Sequence, residues 1–103
     1  MISRHWNGIA KPEHADDYIC HLKTVTFSKL AGVPGFIRAS ILRRTVQAGV
    51  EFQIVTVWRS MDDIKAFAGA DTDVAVVPPL VQKLMASYDP KAVHYEIADT
   101  FER

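Results

Sequence analysis

The alternation of apolar and polar positions divides the chain into strands and amphipathic helices, most clearly in Glu51–Gly69, EFQIVTVWRSMDDIKAFAG. In the strand half, Phe52, Ile54, Thr56 and Trp58 share one side and Gln53, Val55, Val57 and Arg59 the other. Both sets are apolar in the middle, so this strand is expected to be covered on both faces. Ser60 suits the N-cap of the following helix, with Asp62 and Asp63 in its first turn. Met61, Ile64, Phe67 and Ala68 form the inner face of that helix, and Gly69 stops it.

Ile2–Ile9 predicts a first strand with Ile2, Arg4 and Trp6 on one side, Ser3, His5 and Asn7 on the other, and Gly8 as its end or a bulge. A long helix follows from about Pro12 to Leu30, its apolar stripe running through Ala15, Tyr18, Ile19, Leu22, Val25 and Leu30. Gly32, Pro34 and Gly35 punctuate its end. Phe36–Val46 alternates as a second strand, and Gln47–Val50 turns into the third. Ala70–Val77 carries no clear period. Pro78 and Pro79 interrupt any helix but open another over Leu80–Ser87, which Asp89-Pro90 ends before a last strand, Val93–Ala98. The order β-α-β-β-α-β is the ferredoxin-like α+β arrangement, with a four-stranded antiparallel sheet and two main helices on one face. The other face would be bare in a monomer. Exposed apolar sheet invites aggregation, so a homodimer with two sheets packed face to face is expected.

The 103 residues fit one domain, residues 1–103, and 49% hydrophobic against 23% charged residues is a globular profile. Twelve basic residues balance twelve acidic ones, which gives no footprint for nucleic acid as a partner. No apolar run approaches the roughly 18–20 residues needed to span a bilayer, and the N-terminus lacks the apolar core of a secretory signal. The single cysteine, Cys20, excludes an intramolecular disulfide and points to a reducing cytoplasm. It reads as a small apolar residue, and the adjacent His21 faces elsewhere on the helix.

Candidate chemistry starts with the first strand, central in this order yet carrying Arg4, His5 and Asn7 beside Trp6. The last strand, with His94, Tyr95 and Glu96, is expected to neighbour it, and His5 would approach His94 if their parities agree. Trp6 and Trp58 suit the walls of a pocket for a flat aromatic ligand. Tyr18 and His21, three apart on the first helix, share a face from which a phenol or imidazole can bond a substrate hydroxyl or move a proton. The four histidines, His5, His14, His21 and His94, show no metal-ligand spacing, so no metal is expected. Nucleophile-elbow and phosphate-loop motifs are absent.

Arg4-x-Trp6-x-Gly8, Ala15-Asp16-Asp17-Tyr18, Pro34-Gly35-Phe36, Leu42-Arg43-Arg44, Glu51-Phe52, Trp58-Arg59-Ser60, Ile64-Lys65-Ala66-Phe67-Ala68-Gly69 and His94-Tyr95-Glu96 follow in order. Over almost its whole length the chain thus resembles the antibiotic biosynthesis monooxygenase-like family of the dimeric α+β barrel superfamily. The resemblance implies oxidation of a small aromatic or quinol-like substrate by molecular oxygen, without metal or flavin. A phenol is deprotonated there and its anion reacts with oxygen directly. For those tasks the chain offers His94, Tyr18 and Asn7 as catalytic candidates and Arg4, Trp6, His21 and Trp58 as substrate-binding ones, of which only Asn7 and Trp58 have counterparts in the family. Asn7 and Trp58 match an asparagine on the family's first strand and a tryptophan near its third strand. At the tryptophan and histidine positions of the haem-degrading branch stand Phe67 and Val77, so haem cleavage is not expected. Two other readings stay open: a non-enzymatic barrel that binds a small molecule, and a lyase or isomerase of the same fold.

Overall fold

β1 (Ile2–Ala10) is the strand around which the rest of the domain is laid in the computed structural model, which describes residues 1–103. It pairs antiparallel with β3 (Gly49–Trp58), and β3 pairs with the outer strand β2 (Phe36–Val46). A two-residue turn joins β2 to β3, and Gly49 is required at its exit: a Cβ there would lie 2.2 Å from the Ala10 carbonyl oxygen, at a φ of 149°. The other edge of β1 is covered by two short strands in series. β4 (Met85–Tyr88) pairs with Gly8–Ala10, and β5 (Val93–Glu96) with Ile2–His5.

The sheet is therefore five-stranded, where the sequence pattern predicts four. Pro90 lies in the gap between β4 and β5 and has no N–H to give the ladder, so what would be one strand is split. The predicted helix Leu80–Ser87 is correspondingly shorter. α4 (Pro79–Leu84) stops where Met85 turns extended, because pairing with β1 overrides local helix preference. The last strand also ends at Glu96, two residues early. The sheet is antiparallel throughout and not closed on itself, an α+β ferredoxin-like domain.

The first helix is continuous but not uniform. A 3₁₀ turn (Pro12–His14) leads into α1 (Ala15–His21), a π turn (Leu22–Thr26) and α2 (Phe27–Ala31). The π turn inserts one residue into the helical frame. Phe27 consequently packs against the core and Leu30 stays in it as expected, while Val25, placed in the apolar stripe by its spacing, is 40% exposed. α3 (Met61–Ala68) begins and ends as the sequence predicts: the Ser60 hydroxyl accepts from the Asp63 amide at 3.3 Å, and Gly69 leaves the helix at φ 88°. Asp71–Val77 forms no helix. It is held by an isolated bridge between Val74 and Lys91, and by amide bonds from Ala92 to Asp73 and from Ala75 to Pro90.

All helices pack on the face carrying Arg4, Trp6, Gly8, Phe52, Ile54, Thr56 and Trp58. Two adjoining apolar clusters fill that layer, one around Tyr18, Leu22, Phe52 and Leu84, the other around Leu30, Trp58 and Ile64. The second sheet face, with His5, Asn7, Gln53 and Val55, has no helix on it.

Candidate functional site

A cavity of about 70 Å³ lies between the helices and the central strands. Arg4 and Trp6 enter it from β1, Ile54 and Thr56 from β3, and Tyr18, Leu22, Thr26, Phe27 and Leu30 from the first helix. Phe67 of α3 closes one side, and Val76, Pro78 and Val81 lie at the segment leading into α4. A larger depression, about 320 Å³, opens on the other sheet face beside Asn7, Arg44, Glu51 and Gln53. That surface is open and almost wholly polar, whereas ligand sites are concave and mostly apolar with a few directed polar groups, as the inner cavity is.

Trp6 forms its wall because Gly8 permits it. The indole lies back over Gly8, whose added Cβ would sit 2.7 Å from the ring atom Cη2. Gly8 is thus neither a strand end nor a bulge but the flat ground on which an aromatic ring rests. The indole Nε1 donates to the Asp89 carbonyl at 2.8 Å, and the ring leans on Tyr18 and Tyr88.

Arg4 is 5% exposed, an unusual burial for a guanidinium. Its Nη1 donates to the Thr72 carbonyl and, at 2.9 Å, to His94 Nε2; Nη2 donates to the Val74 carbonyl at 3.1 Å. An arginine has only donors, so His94 Nε2 must accept and the imidazole proton sits on Nδ1. Nδ1 is 3.4 Å from Asp73 Oδ1, completing an Asp73–His94–Arg4 chain. Burial, and next the Arg4 charge, hold the His94 pKa below its ordinary value, so the ring is neutral near pH 7. The guanidinium carbon lies 5.8 Å from the centre of the Phe67 ring, which itself stacks on Trp58 at 6.0 Å.

Tyr18 is 2% exposed, and burial alone pushes its phenol pKa up, so it stays protonated as a donor. The Thr56 hydroxyl oxygen accepts from Trp58 Nε1 at 2.9 Å, leaving its hydrogen to point elsewhere. The polar content of the cavity is therefore a cation, a phenol and two threonine hydroxyls, with no carboxylate, imidazole, amine or thiol.

The structure brings together Arg4, Trp6 and Tyr18 of the residues singled out by sequence, and separates the others. His94 stands behind Arg4 and does not line the cavity. Trp58, fully buried, backs the wall through Phe67. His21 lies outside the lining, with a buried Nε2 that has no hydrogen-bond partner. Asn7 faces the opposite side of the sheet and donates to Glu51 at 3.4 Å. His5 is on that side too, paired in register with Val93, whereas His94 pairs with Arg4, so the two imidazoles face opposite ways. His5 accepts from Gln53 at 3.3 Å and donates to the Ser3 hydroxyl at 2.8 Å. No three His, Cys, Asp or Glu side chains are grouped to hold a metal. Sequence reasoning missed Thr56, Thr26, Phe67 and Val76 as lining residues. A threonine among the aromatics of a buried strand side was the available signal for Thr56; nothing in the unpatterned Ala70–Val77 marked Val76.

The family model described as antibiotic biosynthesis monooxygenase matches residues 7–75. No curated protein matches the chain. Among solved structures, the fold is similar to a monooxygenase from the ActVA-Orf6 gene of Streptomyces coelicolor in complex with nanaomycin D, at TM-score 0.68 and 16% identity, covering 99% of this chain and 91% of that one. It is also similar to a mutant of SnoaB, a cofactor-independent oxygenase from Streptomyces nogalater, at TM-score 0.66 and 17% identity over 99% and 97% of the two chains. A conserved protein from Methanosarcina mazei Go1 superposes at TM-score 0.67 with 14% identity over 91% and 89%.

Proposed function

Since the chain belongs to the antibiotic biosynthesis monooxygenase family, we propose that it is a cofactor-independent monooxygenase acting on a small aromatic, quinol-like substrate in the cavity between sheet and helices. The observation that carries this reading is a buried guanidinium, Arg4, at the wall of an apolar enclosure. Electron-rich phenolates react with oxygen without a metal or flavin, provided that the anion is held and water kept out. Arg4 supplies the cation and Tyr18 a neutral donor, while Trp6, Ile54 and Phe67 supply dry walls. His94 and Asp73 hold the guanidinium in place. The balance needs only oxygen: the reacting ring carbon gains one oxygen atom. Its hydrogen and one proton taken from solvent leave with the other as water, and the phenolate becomes a quinone.

The helix-free sheet face is proposed to meet a second copy. Val55, Leu42, Val93 and Tyr95 lie on it, the last three between 50% and 58% exposed. No helix is long and apolar enough to cross a membrane, and the exposed free Cys20 agrees with the cytoplasm as the proposed location. A carrier function is the second reading, favoured by the absence of any ordinary base in the cavity. Oxygen uptake by the purified protein with phenolic compounds decides between them: uptake with quinone formation supports the enzyme, and tight binding without uptake supports the carrier.

A further inference from the structure

We infer that the cavity takes its ligand already ionised, as a monoanion with the oxyanion on Arg4. This deepens the reading of the cavity as the ligand site and rests on it. The partners of the buried guanidinium are all neutral, two carbonyls and an imidazole, and none of the ion pairs in the protein includes Arg4. Asp73 acts on it across His94 but forms no ion pair with it, and its own side chain is 67% exposed. A buried charge without a direct counter-charge is costly, and an anion in the cavity would offset that cost. Of the five N–H donors of an arginine, three are engaged here, which leaves two for a ligand.

The other polar groups agree. Tyr18 keeps its proton, and Thr56 has its oxygen occupied by Trp58 and its hydrogen free. Both offer a donor to an acceptor-rich ligand. No lining side chain takes a proton at neutral pH, so a neutral phenol would have no base to ionise it once inside. One cation admits one negative charge.

The test is calorimetric titration of the intact protein with 4-nitrophenol across the ligand's own ionisation near neutrality. Nitrobenzene serves as the neutral analogue at each pH. The expected result is an affinity that rises with the fraction of nitrophenolate, which binds about tenfold or more tighter than nitrobenzene. Affinity that is flat or falls as the ligand ionises overturns the inference, as does equal binding of nitrobenzene or no binding of any probe. Arg4→Lys should keep part of the preference and Arg4→Met abolish it. If Arg4→Met does not fold, the pH series on the unaltered protein still decides. Nitrophenolate binding with no oxygen uptake on any phenolate sinks the monooxygenase reading alone. Oxygen uptake confined to neutral substrates sinks this inference alone.

Discussion

Replacing Gly8 with alanine tests the construction of the cavity wall at a single atom. Gly8 sits mid-strand in β1, where an alanine would ordinarily stabilise by about 0.5–1 kcal/mol through the unfolded chain. Here the new Cβ would lie 2.7 Å from Trp6 Cη2, with two more indole carbons at 3.2 and 3.3 Å. Reaching ordinary contact at 3.4 Å requires the ring to move by about 0.7 Å or more. The ring is not free to move, because Nε1 is bonded to the Asp89 carbonyl and its faces meet Tyr18 and Tyr88. Overpacking of this kind costs about 1–3 kcal/mol, and losing the indole bond about 0.5–1.5 kcal/mol more. Set against the backbone gain, the net is about 1–3 kcal/mol of destabilisation. For a domain near this size that lowers the melting temperature by roughly 4–8 °C per kcal/mol. Thermal melts, together with tryptophan emission, report both effects. Trp58 is fully buried, so any red shift on substitution belongs to Trp6. The companion variant Trp6→Phe should remove most of the penalty, giving a coupling energy in a double-mutant cycle. A Gly8→Ala protein that is more stable than its parent, with unchanged emission, would refute the account of this wall.

Four further outcomes are expected. The pKa values of His94 and His5 are both held below 6.5, chiefly by burial, so the unfolded chain binds more protons below that pH. Stability present above about pH 6.5 should therefore fall on acidification toward pH 5, by at most about 1.4 kcal/mol per pH unit for each histidine; melts of His94→Gln should show a flatter profile. Thr56→Val orphans the buried indole donor of Trp58 and should cost about 1–3 kcal/mol in urea denaturation, with no effect on the Trp6 emission component. Arg4→Met leaves the Thr72 and Val74 carbonyls without their donor, and amide exchange should then rise across Asp71–Val77 while β3 stays protected. The proposed pairing of helix-free sheet faces predicts a dimer in sedimentation, and Val55→Lys, in the middle of that face, should reduce it to an 11.5 kDa species without lowering helix content.

The strands of the sheet were legible because two-residue alternation survives burial. Their facing sets, Ile2–Arg4–Trp6 and Phe52–Ile54–Thr56–Trp58, are those the pattern gives. Ser60 and Gly69 bounded α3 because capping chemistry is local. What escaped depends on contacts distant in sequence. The π turn, which swaps Val25 for Phe27 at the core, leaves no mark on composition. Met85–Tyr88 reads as helix until β1 offers it a ladder. The site was half legible. Arg4 on a central strand stood out as a polar residue needing a reason, but its partners depend on the register of β5. One residue of slip there would have turned His94 to the face that carries His5. Asn7, matched to a family position by its place on the first strand, proved to lie across the sheet from the cavity by that same alternation.

The central claim is that this chain oxidises an ionised phenol with oxygen alone. Its most direct test is an oxygen-electrode assay of purified protein, free of added metal and flavin, on a panel of electron-rich phenolates. One oxygen molecule consumed per quinone formed, with the rate lost in Arg4→Met and retained in Asn7→Ala, is the predicted result. Phenolates that raise the melting temperature yet consume no oxygen above the protein-free baseline would contradict it.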